Sequence, residues 1–337
     1  MRDSLISLIR PVFSVLPSWS LGLALLLGSS LSVPAAQAEP RDSYKVAWSI
    51  YVGWMPWGYA DSAGIVKKWG DKYGIDIEVV QFNDYIESMN QYTAGAFDAC
   101  TMTNMDALSI PAAGGVDTTA VIVGDYSNGN DGIILKGAEK SLEDIKGQSV
   151  NLVELSVSHY LLARALDSVG MSERDLRVVN TSDADIVAAF NSPDVTAAVT
   201  WNPLMGEILS QPKTSLVFNS AQRPGEIIDA LMVNTKTLAA DPRLGKALVG
   251  AWYETMALMS LQKSVRLEMA EASGTDLAGY DSQLSTTRMF YTAKEGLEFV
   301  TSNAVKETMQ NVATFSFDHG LLGDGASDAG FIGIEYP

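Results

Sequence analysis

Short apolar runs alternate with amphipathic stretches along this chain, and the alternation starts afresh midway. Runs at 44–50, 75–80, 97–102, 118–124 and 132–136 have the length and residue types of buried strands. Between them, 59–72 places Ala60, Ala63, Ile65, Val66 and Trp69 at helical spacing. Asn83 is positioned to cap a helix through Thr93 that Gly95 ends, and 104–113 reads as a helix before Gly114 and Gly115. Strands joined by helical crossovers demand a parallel sheet with helices on its faces.

The second round begins with a short helix at 141–145 and a strand at 149–153. Ser156 caps a helix that Gly170 stops. Strands at 176–180, 195–200 and 215–218 then alternate with helices at 183–190 and 203–210. The apolar run 227–234 returns to the first sheet. Helices follow at 242–261, 265–272 and 294–314, and the Gly-rich tail 320–337 reads as irregular. The fold class is therefore α/β with two lobes, the second inserted into the first. Residues 39–136 and 225–337 form lobe 1, and 137–224 form lobe 2. The crossings fall near Lys136-Gly137 and Pro224-Gly225, and two crossings make a hinge. Open α/β sheets bind ligands beyond the carboxyl ends of their strands, so two facing lobes enclose a cleft.

Residues 1–38 read as a secretory signal. Arg2 and Arg10 give a basic start, Leu21 to Leu27 a short apolar run, and Ala36-Gln37-Ala38 a small-x-small site for cleavage after Ala38. The run is shorter than the roughly 20 residues of a membrane span; an uncleaved anchor is the competing reading. No cysteine follows it to carry a lipid, and the single Cys100 builds neither an intrachain disulfide nor a metal cluster. Losing two Arg and one Asp with the signal takes the net charge from −17 to about −18. Such a surface repels nucleic acid and anionic lipid.

The residues that follow each strand carry the functional information. Residues 73–135 and 178–212 contain no Lys or Arg, so a ligand lying between them meets no cationic partner and is a poor match for an anion. Trp54 and Trp57 stand in a Gly/Pro loop after the first strand, where indoles either hold a cation or cover the core edge. Asp106 follows the third strand and either faces a ligand or supports the first turn of its helix. Asp125 and Tyr126 follow the fourth and either face the cleft or form a turn with Ser127, Asn128 and Gly129. In the second lobe, Glu154 and Ser156 end a strand at a helix start, a place that normally receives anions; Glu154 either blocks an anion there or stands in solvent. Trp201 ends the next strand, as a ligand wall or as lobe packing.

Catalysis has little to work with. His159 and His319 are the only histidines, and no metal-ligand spacing, nucleophile elbow or phosphate loop appears. No catalytic residue, metal or cofactor is expected.

The segments 95–99, the inserted lobe and 195–203 resemble the periplasmic binding proteins of nitrate/sulfonate/taurine-type ABC importers, over about 44–260. The segments 151–160 and 180–187 are similar to the group associated with urea carboxylase and linked to guanidine uptake. The resemblance implies a two-lobed periplasmic binding protein fold of type II. It also implies a monomer that hands a small nitrogen-rich ligand to a permease and its ATPase, touching the membrane only through the permease. Guanidine is the first expectation and urea the second, with Glu154 and either Asp106 or Asp125 as acceptors and Trp54, Trp57 and Trp201 as walls. Nitrate, a sulfonate or another small nitrogen or sulfur compound is the alternative. A pyrimidine-synthesis type of enzyme on the same fold is disfavoured by the export signal and the lone cysteine.

Overall fold

Strand-forming runs at the start of the chain pair as their order directs. The computed structural model describes residues 41–323; the expected signal at 1–38 and the tail beyond 323 lie outside them. Strand β1 (Ser43–Ser49) lies between β2 (Asp76–Phe82) and β3 (Ala99–Thr103), parallel to both. The helix expected at 59–72 is two helices, α1 (Met55–Ser62) and α2 (Ile65–Tyr73). Gly64 separates them with φ 71°, a left-handed conformation that glycine adopts without a Cβ penalty. Helix α3 (Tyr85–Thr93) is capped by Asp84, whose side chain accepts from the Glu87 N–H, rather than by Asn83. Helix α4 (Asn104–Ala107) passes into a π-helical turn, Leu108–Ala112, that accommodates Pro111. Strand β4 (Thr118–Ser127) follows.

Strand β5 (Asp131–Lys136) was expected in the first sheet. It instead pairs antiparallel with two strands of the second, β8 (Ala197–Trp201) and β9 (Thr214–Asn219). The chain thus changes sheets between Ser127 and Asp131, at Gly129 with φ 111°. Strands β6 (Ser149–Leu152) and β7 (Arg177–Asn180) complete this sheet in the order β7-β6-β8-β5-β9. Helices α5 (Val157–Ser168), α6 (Asp183–Asn191) and α7 (Leu204–Leu209) connect it. Ser156 caps α5 as its sequence position directs, its Oγ accepting from the Ser158 N–H.

The chain returns as β10 (Ile228–Asn234), which inserts antiparallel between β3 and β4. Helices α8 (Thr235–Ala240), α9 (Pro242–Leu261), α10 (Lys263–Ala272) and α11 (Leu277–Leu284) follow, then strand β11 (Thr287–Met289) and helices α12 (Ala293–Val300) and α13 (Asn303–Asp318). The first sheet reads β11-β4-β10-β3-β1-β2. The return crossing is tied to the second sheet's helix α5: Arg164 grips Glu226 with two bonds of 2.9 and 2.8 Å, and the Tyr160 hydroxyl donates to the same carboxylate. No helix among the described residues is long and apolar enough to cross a membrane.

Candidate functional site

The carboxyl ends of the strands converge on an aromatic box. Tyr51 and Trp54 come from the loop after β1, Tyr85 from the first turn of α3, and Trp201 from the end of β8. Ring centroids are 5.1 Å apart for Tyr51–Trp54, 5.5 Å for Trp54–Tyr85 and 5.6 Å for Tyr85–Trp201. Edge-on and tilted contacts of this kind are the favoured aromatic geometries. Together with Thr103, Val157, Asp131 and Asp229 these rings enclose a cavity of about 10 Å³, measured for the centre of a water-sized sphere. Space of that size is about that of one water molecule.

Four aspartates surround this box, and all are buried: Asp106 and Asp125 at 0% exposure, Asp131 and Asp229 at 4%. None takes part in an ion pair among the described residues. Hydroxyls hold three of them instead. Tyr85 donates to Asp106 at 2.6 Å and Thr103 donates at 2.7 Å. Tyr51 and Thr287 donate to Asp125 at 2.7 and 2.5 Å, and Ser127 donates to Asp131. Asp106 Oδ1, Asp125 Oδ2 and the Trp54 Nε1–H have no partner in the protein, although buried polar groups are normally paired.

Burial without a counter-charge disfavours ionisation. It pushes Asp106 up to about 7 against the hydroxyl bonds that favour its charged form, and Asp131 up to about 6. Asp125 and Asp229 are raised as well; desolvation comes first, and mutual repulsion adds to it for Asp229. The Tyr51 and Tyr85 hydroxyls are raised by burial and by the acids they serve, so they remain neutral donors.

Of the residues singled out in the sequence, the structure brings Trp54, Trp201, Asp106 and Asp125 to this centre. Trp57 lies elsewhere, packing on Trp252 of α9 with centroids 5.3 Å apart. Tyr126 follows Asp125 in a strand, where successive side chains point to opposite faces; it stacks on Phe299 at 5.4 Å. Glu154 is exposed, and it is its backbone N–H that is engaged, donating to Asn180 Oδ1. The next residue, Leu155, turns the chain with φ 59°. Ser156 is consumed by its cap and by donating to the Val153 carbonyl. His159 is structural: its Nδ1 accepts from the Leu155 N–H and its Nε2 meets Glu173.

Tyr51, Tyr85, Asp131 and Asp229 were missed. A signal existed for Asp229, a lone acid inside the apolar run Ile227–Val233, where an unpaired carboxylate is costly without a purpose. Gly53 shapes the same centre, since a Cβ there would lie 2.5 Å from Asp125 Oδ2 and 2.5 Å from the Tyr51 ring. Gly53→Ala is expected to cost about 1–3 kcal/mol of stability by overpacking, measured by thermal unfolding. A second, open groove of about 1170 Å³ runs past Asp183, Asn202 and Gln283, and no Lys or Arg lines it either.

A protein of Brucella abortus named as a binding protein is 27% identical over 207 residues, 59% of this chain and 63% of the relative. The chain therefore matches less than two thirds of that relative's length. The alkanesulfonate-binding protein of Xanthomonas axonopodis pv. citri, solved with bound MOPS, superposes with a TM-score of 0.72 at 17% identity over 89% of this chain and all of that one. The nitrate-binding protein of Synechocystis gives 0.65 at 14% identity, covering 87% of this chain and 85% of that one. These two likenesses are of fold: a two-lobed periplasmic binding protein architecture. The profile of the NMT1-like family matches residues 47–274, well over half of the 337, and this chain belongs to that family.

Proposed function

We propose that this protein is the periplasmic solute-binding component of an ABC importer, closing its lobes on a small nitrogen-rich ligand and delivering it to a permease. Guanidine is the ligand the site suits best, and urea the next. The observation that carries this reading is the set of four buried aspartates around an aromatic box with no basic side chain among them. Guanidinium is planar, cationic and made only of donors. Carboxylates accept in its plane, each charge-assisted bond contributing about 1.5–3 kcal/mol. Trp54 and Trp201 offer indole faces, worth about 0.5–2 kcal/mol to a desolvated cation. Urea has the same outline but loses the charge-assisted part, and its carbonyl needs a donor such as the Trp54 Nε1–H.

Nitrate and sulfonates, named for the solved relatives of similar fold, carry the wrong charge for this centre. Two carboxylates that face such an anion repel it at short range in a low dielectric. The likeness to proteins named as binding proteins supports a binder over an enzyme. The same class of relatives and the export signal read at 1–38 support delivery to a permease and a periplasmic location.

One bond ties closure to the site. The Asp183 carboxylate, at the start of α6, accepts from the Tyr85 N–H at 3.0 Å, at the positive N-terminus of α3. Tyr85 is also a wall of the box. Asp183→Ala is expected to open the ligand-free protein, seen as a larger radius of gyration in X-ray scattering, and to weaken ligand binding about tenfold or more. Unchanged scattering and affinity would remove this latch from the account.

The reading is tested by thermal unfolding with guanidinium, urea, nitrate and taurine, each below denaturing concentration. A ligand at 100 times its Kd stabilises by about 2.7 kcal/mol. Guanidinium is expected to give the largest rise. A rise with nitrate or taurine and none with guanidinium would contradict it.

A further inference from the structure

Asp125 on β4 and Asp229 on β10 are directly opposed residues of an antiparallel pair, beside a register shift at Asp229/Ala230. Like charges at such positions destabilise a sheet, and both side chains are buried, at 0% and 4% exposure. Asp125 Oδ1 takes the Tyr51 and Thr287 hydroxyls, while its Oδ2 has no hydrogen-bond donor from any other residue. The groups that face the pair from other elements are Tyr51 from the loop after β1, Asp131 from β5, Tyr85 from α3, Tyr280 from α11 and Tyr291 after β11. Every one is an acid or a neutral hydroxyl. A monovalent ligand cannot balance four ionised carboxylates, so the charge must be lowered in another way.

We propose that the Asp125–Asp229 pair takes up the ligand cation in exchange for a proton. In the ligand-free protein the two carboxyl groups hold one proton between them, the acid hydrogen-bonded to the carboxylate. When the cation enters, that O–H ionises and its proton leaves to the solvent buffer. The pair passes from one negative charge to two while the ligand adds one positive charge, so the net charge of the buried centre is unchanged. Desolvation raises both groups, and repulsion from Asp125 and Asp131 raises Asp229 further; together these keep the first proton in place until the cation arrives. The exchange rests on the cationic-ligand reading given above. It makes Asp229 a determinant of specificity, because urea displaces no proton.

The test is isothermal titration calorimetry of guanidinium chloride at pH 8, in two buffers of different ionisation enthalpy. That pH lies above the range of Asp106, at about 7, and of Asp131, at about 6, so a released proton comes from the pair. The expected result is close to one proton released per guanidinium, with Kd falling about tenfold per pH unit on raising pH toward 8. Urea releases none. In Asp229→Asn the release disappears and the pH dependence above 7 flattens; Asp125→Asn gives the same result should the first variant fail to fold. Guanidinium binding with no proton release and a flat pH dependence overturns the exchange and leaves the ligand reading standing. Unchanged release in both folded variants overturns the role of this pair. Binding of nitrate or taurine with none of guanidinium overturns both.

Discussion

Asp131→Asn is expected to weaken guanidinium binding by about 2–5 kcal/mol, the cost of removing one partner of a buried charged hydrogen bond, which is roughly 30-fold or more. Urea binding is expected to change by less than about tenfold. Asp131 lines the cavity directly, and it is the one acid of the four that the second sheet supplies. A cation bound between it and Asp229 of the first sheet would be held from both lobes. The same variant should be more stable than the parent without ligand, because it removes a buried charge that nothing neutralises. Calorimetry and thermal unfolding measure the two effects, which have opposite signs. An equal loss of affinity for guanidinium and urea would remove the charge argument.

The ligand-free protein is expected to gain stability as pH is lowered from about 7.5 to 5, the reverse of ordinary acid behaviour. The sign follows from the direction of the shifts. Asp106 titrates at about 7 and Asp131 at about 6 in the folded protein, against about 3.9 in an unfolded chain. Between these values the folded state binds protons that the unfolded state does not, so stability falls as pH rises through the window from about 4 to 7. A tenfold change in proton affinity is worth about 1.4 kcal/mol, so Asp106 alone contributes on the order of a few kcal/mol. Asp241 works in the opposite sense, held at about 2 chiefly by its bonds to Arg243. Its stabilising contribution is lost only below about pH 4, outside this window. Melting temperature against pH, with and without guanidinium, is the measurement. Ligand should stabilise most at the high-pH end, where its counter-charge is most needed; a melting temperature that rises steadily with pH in the ligand-free protein would contradict the prediction.

The elements were legible wherever periodicity and caps agreed. Ser156 starts α5 because its hydroxyl has one obvious orphan N–H to serve, and Pro242 starts α9 because its fixed φ suits a first turn. Sheet membership was less legible. The apolar run of β5 reads equally well as a last strand of one sheet or an edge-side strand of the next, and its partners β8 and β9 lie more than 60 residues onward. The site was half legible. The absence of basic residues matches a centre without a basic side chain, and Trp54, Trp201, Asp106 and Asp125 do meet. Tyr126 drops out because alternation along β4 sends adjacent side chains to opposite faces. Trp57 drops out because Trp252, distant in sequence, offers it a packing partner in the core. Asp229 was hidden by the strength of its own surroundings, since an apolar run draws attention as core and its one acid passes as an exception.

The most direct test of the central claim is a calorimetric titration of the protein at pH 7.5 with guanidinium and, separately, with nitrate. The account predicts saturable one-to-one binding of guanidinium and no heat of binding with nitrate. Tight nitrate binding without guanidinium binding would mean that the buried acids serve something other than a cation.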